Sequence, residues 1–211
     1  MIRENLTRIY SELPSGVQLV AVSKFHPVQD ILEAYGAGQR VFGENRPQEF
    51  AAKAAALPED IAWHFIGHLQ TNKLKLVLPR VSLRQSVDSV HLLEAVNAWA
   101  LENGRVIDIL LELHLGAEQT KHGLTEQEIR GILAASWPGV RIRGLMGMAT
   151  HTEDEALIRA DFARISTLLK ELRQDYPFLE ELSIGMSGDW RLAVEYGATL
   201  VRIGTAIFGE R

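Results

Sequence analysis

Cysteine is missing from all 211 residues. That removes disulfides, thiolate metal ligands and a thiol nucleophile, and it fits a reducing compartment. A positive excess is missing too: 22 Lys and Arg stand against 27 Asp and Glu, a formal net charge of −5, so neither a nucleic-acid nor an anionic-membrane surface is expected. No apolar run approaches the roughly 18 residues of a membrane span, and the opening MIRENLTRIYSELPSG lacks a signal-peptide core. Neither nucleotide-binding glycine loop occurs. The GMSG run cannot be a nucleophile elbow, because Asp189 stands where its last glycine would be. With 46% hydrophobic residues available for a core, the expectation is a soluble, cytoplasmic protein whose residues 1–211 form a single domain.

What is present is a regular alternation. Ile2, Leu6, Ile9, Tyr10 and Leu13 share one helical face, which Pro14-Ser15-Gly16 ends. Strand-like runs then follow at Val17–Val22, Gln39–Phe42, Ile61–Ile66, Val81–Val87, Val106–Leu113, Val140–Gly147, Leu182–Gly185 and Thr199–Ile203. Helical segments separate them. Pro47 opens one, and capping boxes at Thr125/Glu128 and Thr152/Glu155 are read as opening two others. Eight strand–helix units, the last closed by the chain terminus, imply an α/β fold: a single (β/α)8 TIM barrel with one extra N-terminal helix. Closure rests on the short strand at Gln39–Phe42, since its loss would leave an open sheet.

Barrel chemistry gathers where strands end, and phosphate sites favour the loops after strands seven and eight. Lys24 follows the first strand. A partly desolvated amine there can attack a carbonyl carbon, although the same position suits a lysine simply reaching water. The last two loops carry Ser187-Gly188 and Gly204-Thr205, whose N–H groups and hydroxyls suit an anion as well as ordinary turns and caps. A lysine facing such a cradle points to a phosphorylated aldehyde or ketone. Two classes qualify: an aldolase-like enzyme, or a protein carrying pyridoxal phosphate.

The motifs AVSK (21–24), FGEN (42–45), WHFIGHLQTNK (63–73), KHGL (121–124) and SIGMSGDWRLAVEYGATLVRIGTAIFG (183–209) together resemble the pyridoxal phosphate homeostasis protein family, also described as alanine racemase N-terminal-domain-like. The resemblance implies a fold-type-III barrel with pyridoxal 5'-phosphate in a Schiff base on Lys24. It implies that Ser187, Gly204 and Thr205 hold the phosphate, that Arg202 sits beside the pyridine nitrogen, and that Asn45 lies near the phenolic oxygen, where it could equally cap the helix before Pro47, or do both. His68 would flank the ring, and Met186 would pack near the cofactor or in the core. It further implies a non-catalytic role, buffering the cofactor or delivering it to apo-enzymes as a monomer or weak dimer. A weak amino-acid racemase or other lyase is the alternative. An arginine at the ring nitrogen leaves the ring a poor electron sink, and a shallow site excludes water badly.

The chain departs from the family pattern at His114 and Leu115, in the GLMGMAT stretch, and at Gly188-Asp189. Metal binding is not expected. His64 and His68 are four residues apart, but a metal pair at that spacing needs a helix and His64 falls on a strand.

Overall fold

A computed structural model of the chain describes residues 1–116 and 122–210; Lys121 of the KHGL motif lies outside them. Eight parallel strands close into a barrel in sequence order. They are β1 (Gln18–Val22), β2 (Val41–Glu44), β3 (Ala62–Phe65), β4 (Val81–Val87), β5 (Ile107–Glu112), β6 (Val140–Met146), β7 (Glu181–Met186) and β8 (Leu200–Ile203). Helix α1 (Ile2–Glu12) precedes the first strand. Around the barrel run α2 (Val28–Gly36), α3 (Pro47–Ala56), α4 (Leu74–Val77), α5 (Val90–Glu102), α6 (Glu126–Ala134), α7 (Glu155–Asp175), α8 (Trp190–Glu195) and α9 (Thr205–Phe208). Among the described residues, no helix is long and apolar enough to cross a membrane.

The expected barrel is found, with local corrections. The second strand begins two residues late because Gln39, fully buried, donates its amide to Leu19 O (3.0 Å) and Val41 O (2.5 Å). It thereby seals the strand's lower edge instead of joining it. The Thr125/Glu128 capping box forms. The Thr152/Glu155 box does not: Asp154 is the cap of α7 and accepts from Ala156 N, while Thr152 Oγ1 accepts from Asp154 N. An aspartate two residues nearer the helix outcompetes a threonine for the same orphan donors. The last strand is not followed directly by the terminus, because α9 intervenes.

Period-two alternation separates the two faces of every strand. Leu19, Ala21, Ile109, Leu111, Leu145 and Val201 join the large cluster beneath the helices. Their neighbours Val20, Leu83, Leu110, Met146 and Leu200 form a second, small cluster, which is the apolar plug of the barrel's interior. One layer nearer the strands' C-terminal ends the interior turns polar. Arg202 Nη1 donates to Ser183 Oγ (2.5 Å) and Ser183 O (2.9 Å), Ser183 Oγ donates to Gln85 Oε1 (2.6 Å), and Gln85 Nε2 lies 2.8 Å from His64 Nδ1. All four residues are buried. A hydrogen-bonded chain therefore crosses the barrel from β8 through β7 and β4 to β3.

Burial holds His64 at a pKa of about 4, so it is neutral and Nδ1 can accept from Gln85. The unfolded histidine takes up a proton below its ordinary pKa while the folded one does not. The stability this group contributes is therefore present above pH 6.5 and is lost as pH falls toward 4, by about 3 kcal/mol in all. Glu112, pushed up to about 7 first by burial and then by the nearby Asp88, acts in the opposite sense over an overlapping window, so the comparison must be with a variant. Denaturant melts of wild type and His64→Gln between pH 7 and 4 should diverge by about that amount, the wild type losing more. Parallel curves would show that His64 is not a buried neutral group.

Candidate functional site

The turn after β1 is held by a buried charge cluster. Lys53, from the alanine-rich helix α3, sends its ammonium to Ser23 O, Glu44 Oε1 and Glu49 Oε1, each at 2.7 Å. Ser23 Oγ also donates to Glu44 Oε1 (2.6 Å), and Phe25 N donates to Glu49 Oε1 (2.6 Å). Burial pushes the Glu44 carboxyl up, against hydrogen bonds from Lys53 and Ser23 that pull it down, and its Oε2 is buried with no partner. The cluster stabilises an unusual backbone. Phe25 has φ +67°, a left-handed conformation that costs a side-chain-bearing residue about 1–2 kcal/mol. Its charge-assisted bond to Glu49 offsets that cost, as does the Arg46 guanidinium 4.1 Å from the Phe25 ring centroid. Lys24 lies between these anchors, half-buried.

Lys24 borders a cavity of about 650 Å³ at the C-terminal ends of the strands. The cavity's wall brings together Lys24, Asn45, His68, Met186, Ser187, Arg202, Gly204 and Thr205, every residue singled out for the site. The wall also includes His26, Thr150, His151 and Asp189, which the sequence reading did not single out for the site. His26 stands two residues past AVSK, Thr150 ends the GLMGMAT stretch and His151 follows it, and that position at the strand ends was the signal available. Ser187 Oγ accepts from Gly204 N (3.2 Å) and Ala206 N (3.4 Å), so backbone N–H groups from the end of β8 and the start of α9 converge on one hydroxyl. Asp189 turns its carboxylate away from the start of α8 to accept from Met186 N (2.6 Å).

Arg202 is 4% exposed, and its Nη2 donates to Gly147 O (2.9 Å) in addition to the Ser183 bonds. Burial lowers it to about 10, so it keeps its charge at neutral pH. Asn45 does not cap α3, since Arg46 occupies the cap position with extended backbone. Asn45 instead faces the cavity with its Oδ1 buried and unpartnered. Gly67 allows this turn: a Cβ there would stand 2.2 Å from Asn45 O, so only glycine lets the loops after β2 and β3 close on each other. Met186 is 39% exposed, which excludes the core position. His68 Nδ1 lies 2.6 Å from Asp88 Oδ2, and its ring stacks on His122. His64 is turned into the interior chain instead, which separates it from His68.

A cavity bordered by a lysine, by the Ser187 and Gly204 turns and by a fixed guanidinium suits a small anionic carbonyl compound. The model of the family "Alanine racemase, N-terminal domain" matches residues 1–211. A pyridoxal phosphate homeostasis protein of Aquifex aeolicus is 40% identical over 198 residues, 92% of this chain and 87% of its own. PipY of Synechococcus elongatus, solved with pyridoxal phosphate bound, is 44% identical, superimposes with a TM-score of 0.92, and is covered over 99% of this chain and 100% of its own. An alanine racemase of Clostridium difficile, 13% identical with a TM-score of 0.77 over all of this chain and 56% of its own, shares the fold alone. On these matches the chain belongs to the pyridoxal phosphate homeostasis protein family, built on the alanine racemase N-terminal domain.

Proposed function

We propose that the cavity binds pyridoxal 5'-phosphate covalently at Lys24, and that the protein buffers this cofactor in the cytoplasm and passes it to apo-enzymes without a reaction of its own. One observation carries the reading: Lys24 and the Ser187/Gly204/Thr205 loops border the same cavity, whose volume suits one molecule of that size. The residues present also fit the group. Asn45 offers an unpartnered amide oxygen inside the cavity. At Gly204 a Cβ would stand 3.1 Å from Val22 O, so glycine lets the last loop close on β1 at the cavity's edge. The Synechococcus relative with pyridoxal phosphate bound supports the same reading.

When bound, pyridoxal phosphate supplies an aldehyde that condenses with a primary amine and a ring that can draw electrons from that amine's carbon. Lys24 provides the amine, held in place by the Lys53 cluster. Ser187 Oγ and the Gly204 and Ala206 N–H groups would hold the phosphate, with Thr205 adding a hydroxyl. Arg202 would sit beside the ring nitrogen. An arginine holds its proton far more tightly than a pyridine does, so the nitrogen stays unprotonated and the ring is a weak electron sink. The bonds from Arg202 to Ser183 and Gly147 fix that cation in position. Amino-acid racemisation no faster than with free pyridoxal phosphate is the expected assay result; rapid turnover would overturn the non-catalytic part.

Titration with pyridoxal phosphate should give a visible absorbance change in the wild type and none in Lys24→Ala. Residual phosphate-directed binding to that variant should remain measurable by equilibrium dialysis; unchanged colour would mean that another lysine reacts. Ser187→Ala should weaken binding by about 1.5–3 kcal/mol, tenfold or more in Kd, and an unchanged Kd would move the phosphate elsewhere. Lys53→Met leaves Glu44 buried without its cation and should cost about 3–5 kcal/mol in denaturant melts, part of it recovered when Glu44→Gln is added. If Lys53→Met leaves both stability and the rate of Lys24 labelling unchanged, the cluster does not hold the turn.

A further inference from the structure

A second hollow of about 360 Å³ adjoins the cavity, sharing His68, Met148, Ala149, His151 and Met186 with it. Its own wall adds Asp88, Glu112 and His122, and nothing in the cofactor reading uses them. Asp88 follows β4, His68 follows β3, and His122 precedes α6. The barrel thus brings three donors together from three separate segments.

We propose that His68, Asp88 and His122 bind a divalent transition-metal ion of the zinc class at the rim of the barrel. Donor atoms of the three residues all lie within 4.8 Å of one another. His68 Nδ1 is 2.6 Å and His122 Nδ1 3.9 Å from the same Asp88 Oδ2. Zinc sits roughly 2.0–2.2 Å from nitrogen and carboxylate ligands, so donors around it stand a few ångströms apart. The His68 and His122 rings stack with their planes 18° apart, so their in-plane lone pairs meet at one ion once His122, whose side chain is 63% exposed, turns out of the stack and the His68–Asp88 pair opens. Two imidazole nitrogens and one carboxylate oxygen form a borderline-soft donor set suited to zinc, cobalt or nickel rather than to calcium or magnesium.

The second, independent observation is Asp88 itself. Its side chain is 3% exposed, yet Oδ1 has no hydrogen-bond partner. A simple His68–Asp88 hydrogen bond accounts for Oδ2. It leaves Oδ1 unsatisfied at the wall of the hollow. The charge around the site also favours a cation. Glu112, buried in the same hollow, feels Asp88 as a repelling neighbour. Arg84 offers Asp88 a compensating charge, but its hydrogen bonds run to Gly67 O, Ser86 Oγ and Ser86 O. Metal binding displaces a proton from any protonated imidazole, so affinity should fall with acid.

The test uses the full-length protein after chelator treatment, titrated with Co²⁺ for visible d–d bands and with Zn²⁺ by calorimetry. One ion per chain is expected, with Zn²⁺ displacing Co²⁺. His122→Ala and Asp88→Asn should each weaken Zn²⁺ binding at least about tenfold, as loss of a first ligand exceeds the 10–100-fold effect of an outer partner. His122 does not border the cofactor cavity. His122→Ala should therefore leave pyridoxal phosphate labelling of Lys24 intact, which keeps failure here distinct from failure of the cofactor reading. If Asp88→Asn does not fold, the exposed His122→Ala carries the test alone. Absence of d–d bands, or equal Zn²⁺ affinity in wild type and His122→Ala, would overturn the site.

Discussion

The bonds of the Lys53 ammonium to Ser23 O, Glu44 and Glu49 are the contact on which the site depends. A lysine at the end of a barrel strand would ordinarily extend into water, where its entropy and full hydration make it a poor nucleophile. Here the backbone on either side is pinned from below, and Phe25 is kept in a left-handed turn it would not choose alone. That directs the chain across the barrel mouth and leaves Lys24 on the cavity's wall. The cluster is a buried ion pair with an extra carboxylate. Its worth lies less in net stability than in fixing one geometry, since replacing either partner leaves an uncompensated charge.

Beneath the mouth, the interior serves two purposes in two layers. The apolar plug of Val20, Leu83, Leu110, Met146 and Leu200 fills the lower barrel. The polar chain from Arg202 to His64 lies above it and passes hydrogen bonds in one direction, each donor meeting one acceptor. A neutral His64 is what allows that direction, because a charged imidazole has no lone pair to accept from Gln85. Burial, which lowers the pKa of His64, thus also sets the orientation of Gln85 and the hydroxyl of Ser183, and through them holds the Arg202 guanidinium.

Much of this was legible in the chain because it depended on local rules. Period-two and period-3.6 patterns marked strands and helices, Pro47 marked a helix start, and the barrel's known preference for its last two loops drew attention to Ser187, Gly204 and Thr205. Local rules failed where two candidates competed for one role. Asp154 displaced Thr152 at a cap, Arg46 rather than Asn45 took the cap position before Pro47, and Gln39 left the second strand for a structural hydrogen bond. Contacts across the barrel were not legible at all. Lys53 looks like a solvated residue in an alanine-rich helix, and Gln85, Ser183 and His64 are scattered through ordinary strand patterns. Nothing short of closing the barrel brings them together. Asp88 and His122 belong to the same class, 34 positions apart by their numbers yet sharing one carboxylate oxygen's surroundings.

The most direct measurement is peptide mapping after borohydride reduction of protein mixed with pyridoxal phosphate. A stable mass increment on the tryptic peptide bearing Lys24, and on no other, is the result this account predicts. An increment distributed over surface lysines, with the Lys24 peptide unmodified, would contradict it.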